Sequence, residues 1–267
     1  MSLDYNKILS VAKTAALQAG NYLKENFKDK PKIEFKGEID LITERDRKSQ
    51  EIVFNIIHDN FKDHSILGEE GMNIKNREEF LWIVDPLDGT TNYAHSLPYY
   101  CVSIAFEENK ETKAGVVFNP MLNELFWAIK GEGAYLNDKR LKVSKEFDLN
   151  KSLLATGFPY DLRESDVNNL EYFTRFLFKV QAIRRCGSAA LDLAYLAAGI
   201  YDGFWELKLN PWDTAASALF VEEAGGKLTD FKGNPYNSYL KECLATNGII
   251  HNQMLDILKG EKDERYE

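Results

Sequence analysis

Residues Phe80 to Asp85 read FLWIVD, a short and continuous apolar run closed by a carboxylate. A strand with no polar face has to be covered on both sides, so this run calls for layers above and below a sheet. The chain does not then simply turn to solvent. It continues Pro86-Leu87-Asp88-Gly89-Thr90-Thr91-Asn92, which puts a second acid three residues after the first, then a glycine and two threonines at a helix start.

The flanking patterns supply the layers. Leu3, Ile8, Val11, Ala12, Ala15, Ala16, Ala19 and Leu23 recur at helical spacing and predict a first helix of about six turns. Lys28 to Asp40 carries Pro31, Gly37 and a basic excess and reads as an exposed, mobile connection. Thr43 and Asp46 have capping-box spacing, and Ile52, Val53, Ile56, Ile57 and Phe61 continue a second helix. His64 to Gly71 reads as a short strand running into a turn. From Tyr99 to Leu136 four β-rich segments separated by turn residues predict an antiparallel meander. Beyond it, Ser152–Pro159 and the YDGFWEL segment read as strands. Leu170–Val180, Ser188–Gly199 and Asp213–Ala224 read as helices, and GGKLTD turns the last of them into a strand. With no repeat, low-complexity segment or evident linker, the expectation is an α+β fold of alternating helix pairs and sheets. It forms one unit over 1–267 with two lobes, approximately 1–150 and 151–267.

The formal net charge of -9 disfavours nucleic acid and anionic membrane as partners, and it repels phosphorylated small molecules unless a metal or local positive charge intervenes. Cys101, Cys186 and Cys243 are widely spaced and odd in number, which argues against a disulfide framework or a zinc site and fits a reducing cytoplasm. No signal-peptide core or membrane span is expected.

Four acids, Glu69, Asp85, Asp88 and Asp213, each follow an apolar segment at a turn. Taken singly they are ordinary: a solvated glutamate, a turn Asp-Gly, a helix N-cap at Asp213. Taken together they are hard oxygen donors held at the ends of buried elements, the ligand type magnesium takes, with the Leu87 carbonyl as a further donor. Two ions sharing a carboxylate can clamp the attacking and leaving oxygens of a phosphoryl group. Gly89, Thr90 and Thr91 offer backbone N–H groups that suit a phosphate. There is no GxxxxGK[ST] loop and no GxSxG elbow, and GEGAY at Gly131 reads as a hairpin turn rather than a dinucleotide fingerprint. The histidines lack zinc spacing, and the scattered aromatics read as core.

DPLDGTTN, with GEE upstream and RRCGSAALDLAYLAAG and WDTAA downstream, resembles the inositol monophosphatase family of magnesium-dependent, lithium-sensitive phosphatases, over nearly the whole chain. The resemblance implies a layered αβαβα sandwich, usually a homodimer. It implies two magnesium ions, with a third weaker one near Glu69. Glu69, Asp85, the Leu87 carbonyl and Thr90 match the first metal's surroundings, and Asp85, Asp88 and Asp213 the second's. Gly89 and Thr90 match the phosphate donors, Asp46 the partner of the motif threonine, and Lys36 lies near a mobile loop. Direct hydrolysis is implied, with a water oriented by Glu69 and Thr90, Asp46 behind Thr90, and protonation of the leaving oxygen near Asp213.

For the alcohol, Glu206 and the wall Gly187-Ser188-Ala189 match the part of the family that receives inositol hydroxyls, which favours myo-inositol 1-phosphate. Some relatives also cleave fructose 1,6-bisphosphate, and Arg163, Arg184 or Lys208 could serve its second phosphate. Some bacterial relatives bind a protein partner such as transcription machinery. The intact set of acids argues that catalysis is retained.

Overall fold

In the computed structural model the described residues are 3–29, 33–35, 41–71 and 73–260. In chain order the elements are α1 (Tyr5–Glu25), β1 (Ile33–Phe35), β2 (Leu41–Thr43), α2 (Glu44–Asn60), β3 (His64–Gly68), β4 (Arg77–Asp88) and α3 (Thr90–Ala94). The meander follows as β5 (Cys101–Glu108), β6 (Glu111–Asn119), β7 (Glu124–Ile129), β8 (Gly133–Leu136) and β9 (Lys139–Arg140). The remainder is β10 (Leu153–Thr156), α4 (Leu170–Leu177), β11 (Ala182–Arg184), α5 (Ala189–Ala197), β12 (Gly203–Leu207), α6 (Pro211–Glu223), β13 (Lys227–Thr229), β14 (Glu242–Thr246) and α7 (His251–Lys259).

The layers are helix pair, sheet, helix pair, sheet, helix pair. α1 and α2 cover one face of a seven-stranded sheet of order β3-β4-β5-β6-β7-β8-β9. α5 and α6 fill the middle. A five-stranded sheet of order β11-β10-β12-β14-β13 follows, and α4 and α7 close the outer side. Each interface between layers has its own core. Val53, Trp82, Val84 and Phe106 lie in the first, Ile83, Cys101, Leu191 and Phe220 in the second, and Phe176, Trp205 and Met254 in the third. β4 shows why its run is wholly apolar. Trp82 and Val84 point to the α1/α2 side and Ile83 to the α5/α6 side, all at 1% exposure or less. Truncating Trp82 to alanine would cost about 3–5 kcal/mol. The middle helices pack against both sheets, so the two sheets share one core.

Several sequence expectations change in detail. β4 does not stop at Asp85 but continues through Pro86 to Asp88. The connection Lys28–Asp40 contains a short strand, β1, paired antiparallel with β2; Lys36 and most of that connection lie outside the described residues. Asp213 is not the N-cap of α6. Asn210 holds that position, and the Asp213 carboxylate accepts the Asn210 backbone N–H at 2.6 Å as the second half of a capping box. Strands β9, β11 and β14 and helix α7 have no counterpart in the sequence reading.

Candidate active site

The central feature is a one-residue bulge. Asp85 pairs with Ser103 and Asp88 with Cys101, so three steps along β4 oppose two along β5. In a regular strand residues three apart face opposite sides; the extra residue brings Asp85 and Asp88 onto the same face. That face looks at the α5/α6 layer, where Cys101 is packed, while Leu87 between them turns into the α1/α2 core. Glu69 arrives from the neighbouring parallel strand. β3 pairs Gly68 with Val84, and the Glu69 N–H donates to the Val84 carbonyl, which sets Glu69 beside Asp85. Asp213 reaches the site from the first turn of α6.

These acids are electrically joined. Burial pushes the Asp85 carboxyl well above the usual range, and Glu69, Asp88 and Asp213 each add to the rise. Burial likewise pushes Asp88 up to about 6 and Asp213 well above the usual carboxylate range, with Glu69, Asp88 and Glu206 adding to the latter. Each of three carboxylates is fixed by one oxygen. The Leu87 N–H donates to Asp85 Oδ1 at 3.0 Å, and the Asn210 N–H to Asp213 Oδ2. The Ser188 hydroxyl (2.6 Å) and the Ala190 N–H (2.8 Å) both donate to Asp88 Oδ2. Among the described residues no donor is recorded to the second oxygen of Asp85 or Asp213, or to Asp88 Oδ1. Mutually repelling all-oxygen donors, Asp85 buried and Glu69, Asp88 and Asp213 half-buried, with oxygens to spare, fit a hard divalent cation. Among the described residues no three such side chains close into a ready-made metal cage. Magnesium, which keeps several waters, does not require one.

α2 is the splint behind this face. Asp46, Ser49 and Gln50, at i, i+3 and i+4, are fully buried on one side of the helix. Asp46 Oδ1 accepts the Thr90 hydroxyl at 2.8 Å, and its Oδ2 accepts both the hydroxyl (2.5 Å) and the N–H (2.9 Å) of Thr43. The Ser49 hydroxyl donates to the Pro86 carbonyl at 2.7 Å, inside the bulge. Gln50 Oε1 accepts the Glu70 N–H at 3.2 Å and so steadies the turn that carries Glu69. Asp46 and Thr90 were legible in the sequence; Ser49 and Gln50 were not, because an apolar-periodicity reading passes over buried polar positions. Gly89 stands at φ +100°, and a Cβ there would lie 3.0 Å from the Tyr99 carbonyl, so glycine is required.

A cavity of about 620 Å³ opens from the carboxylates between the two sheets. Glu69, Asp88 and Asp213 line one end, and Gly187, Ser188, Ala189 and Glu206 line it further along, so the structure gathers these expected residues around a single space. Asp85, Leu87, Asp46, Gly89 and Thr90 stand behind the lining. Glu206 leans directly over Gly157, where a Cβ would come within 2.0 Å of its Oε1. Burial pushes the Glu206 carboxyl well above the usual range, and Asp192 and Asp88 push it further. The sequence reading missed Asn92, Asp192 and Arg185. The Asn92 amide donates to the carbonyls of Tyr99 (2.7 Å) and Cys186 (2.8 Å) and ties the DGTTN segment to the wall. Asp192 and Arg185 line the cavity. Arg184 does not; it is exposed and bonds its neighbour Ile183's carbonyl. Arg163 is not among the lining residues, and Lys208 is, but its ammonium is committed to Asp161 Oδ2 (2.5 Å) and Ser165 Oγ (2.9 Å). His95 is exposed outside the cavity.

Fold, bulge and acids together define a phosphatase of known type. The model of the inositol monophosphatase family matches residues 4–262, and the chain belongs to that family. It is similar to inositol monophosphatase 3 of Solanum lycopersicum, 39% identical over 264 residues that cover 94% of this chain and 96% of that one. Nus factor SuhB of Escherichia coli is 38% identical over 257 residues, 95% of this chain and 96% of that protein. The solved inositol monophosphatase of Anabaena (Nostoc) sp. superposes with a TM-score of 0.88 at 41% identity and 97% coverage of both chains. Among the described residues no helix is long and apolar enough to cross a membrane.

Proposed function

We propose that the protein is a magnesium-dependent phosphomonoesterase that hydrolyses myo-inositol 1-phosphate or a closely similar polyol phosphate to alcohol and phosphate. The observation that carries this reading is the convergence of Glu69, Asp85, Asp88 and Asp213 at one end of a cavity whose other part is walled by Glu206 and residues 187–189. Asp85, Asp88, Asp213, Glu69 and the Leu87 carbonyl would hold two ions, with Glu69 near a third. Bound there, magnesium supplies neutralising charge at the phosphoryl oxygens and a more acidic water.

The chain's own groups do the rest. The Thr90 hydroxyl lies within donating distance of Asp46 Oδ1 and of the Leu87 carbonyl at 3.0 Å, so its proton is turned toward these acceptors and its lone pairs are left to accept. It can therefore accept from an attacking water while Asp46 holds its proton, with Glu69 as the second acceptor. Gly89 and Thr90 place backbone N–H groups for the phosphate, and Glu206 accepts from the polyol. Asp213, fixed by Asn210, would assist protonation of the leaving oxygen. In this reading water attacks phosphorus directly and no covalent phosphoenzyme forms.

Phosphate release from inositol 1-phosphate and fructose 1,6-bisphosphate, compared with magnesium and with chelator, tests the proposal. Magnesium-dependent release from the first substrate alone is expected; release that persists in chelator would refute it. A second reading is that the chain also docks a protein partner, which the 38% identity to a protein named as a Nus factor favours. A homodimer and a cytoplasmic setting are part of the same proposal.

A further inference from the structure

Beyond the metal end, the cavity carries polar groups that the hydrolysis does not use. Asp192 is 1% exposed, lines the cavity from α5, and has one oxygen, Oδ1, held by the Tyr99 hydroxyl at 2.7 Å. Among the described residues no donor is recorded to its Oδ2. Arg185 lines the same region with no hydrogen bond or ion pair recorded among the described residues. A Cβ on Gly187 would lie 3.3 Å from Arg185 Nη1 and 3.2 Å from Asn92 Nδ2, which places the guanidinium over the glycine. Its charge acts on both Asp192 and Glu206, and Asp192 in turn repels Glu206. Glu206 likewise has no recorded donor among the described residues.

We propose that Asp192 and Arg185 form, with Glu206, a subsite that reads at least two hydroxyls of the substrate alcohol, and that Asp192 is a specificity-determining residue. The inference rests on the phosphatase reading given above. Two carboxylates with spare acceptor oxygens and a guanidinium with spare donors are complementary to groups that both donate and accept. Hydroxyls do this; a second phosphate does not. It would meet Arg185 but also the carboxylates of Asp192 and Glu206, and the other cation, Lys208, is already spent on Asp161. The subsite therefore selects monophosphates whose alcohol is uncharged and hydroxyl-rich over bisphosphates. The burial matters as much as the charge, because a buried acceptor left without its hydroxyl discriminates strongly against substrates that lack one.

The test compares kcat/KM for myo-inositol 1-phosphate with that for glycerol 2-phosphate, whose short chain bears two hydroxyls but no ring to span the subsite. Asp192→Asn keeps an oxygen for Tyr99 and exchanges the acceptor Oδ2 for a donor. The ratio of the two kcat/KM values is expected to fall about ten- to hundred-fold, mainly through KM for the inositol ester. Arg185→Gln, at the exposed rim where folding is not at risk, is expected to lower the same ratio by a smaller factor. A ratio unchanged in both variants, whether the two substrates decline together or not at all, overturns the subsite. Wild-type protein that releases phosphate from neither ester with magnesium overturns the phosphatase reading itself, and the subsite with it.

Discussion

Gly157→Ala separates what Glu206 does for substrate from what it does for the fold. The glycine sits just past β10, buried, and an added Cβ would stand 2.0 Å from Glu206 Oε1, 2.3 Å from its Cδ and 2.4 Å from Oε2. Ordinary contact begins near 3.4 Å, so the carboxylate has to withdraw by about 1.4 Å. The obstacle is the far end of a flexible side chain rather than backbone, and Gly157 does not occupy the positive-φ region, so the protein relieves the clash by swinging Glu206 aside. The stability cost should stay near or below about 1 kcal/mol. The functional cost should not, because a displacement of about 1 Å in a group that positions substrate costs on the order of a hundredfold. Steady-state phosphate release from inositol 1-phosphate, paired with thermal unfolding, reads both quantities. A variant that unfolds within a few degrees of wild type and keeps kcat/KM within threefold would refute the placement of Glu206 against the substrate.

Three further outcomes follow from the same geometry. Asp46→Asn replaces an acceptor for the Thr90 hydroxyl with a group that can also donate, and should lower kcat about a hundredfold while KM moves little, as steady-state kinetics would register. Asp88→Asn keeps the shape that receives Ser188 and Ala190 but removes a half-buried charge; activity should fall by a hundredfold or more with the Tm nearly unchanged in chelator, and the rise in Tm on adding magnesium should shrink. His251, 1% exposed at the start of α7, is held neutral by burial, with its pKa lowered from 6.5 to about 4 and Lys227 adding to the fall. The Thr229 hydroxyl donates to the Asp230 carbonyl, so it accepts from His251 Nε2–H at 3.0 Å, and Thr246 donates to Nδ1 at 2.9 Å. A depressed folded-state pKa stabilises fully above pH 6.5, and that contribution, about 3 kcal/mol at most, is lost as pH falls toward 4. Urea unfolding at pH 7 and pH 4.5 should show a smaller loss in His251→Gln than in wild type; equal losses would remove His251 from the account.

The sequence revealed the layers more readily than the site's geometry. The wholly apolar FLWIVD run demanded cover on both faces, and the core positions of Trp82, Ile83 and Val84 supply it. The Thr43–Asp46 capping box was legible because both of its partners are local. The bulge was not. Period-two alternation sets Asp85 and Asp88 on opposite faces, and only the register against Ser103 and Cys101 reverses that. α7 escaped because it lacks a capping side chain at Ile250, and β11 because a three-residue strand leaves no pattern to count. Arg184 and Arg185 were inseparable in one dimension; Arg184 closes β11, and the next residue leads into the cavity wall. Asp192 was passed over, since nothing local announces that Tyr99 will meet it.

The central claim, that the carboxylates at the β4 bulge hold catalytic cations, is tested most directly by counting them. Manganese, a spin-active oxygen-seeking substitute for magnesium, can be titrated into the wild-type protein and into Asp85→Asn while free ion is followed by electron paramagnetic resonance. At least two saturable ions per chain, displaced by magnesium, are expected in the wild type, with the tight component abolished in the variant. Absence of saturable binding, or binding that Asp85→Asn leaves intact, would contradict the account.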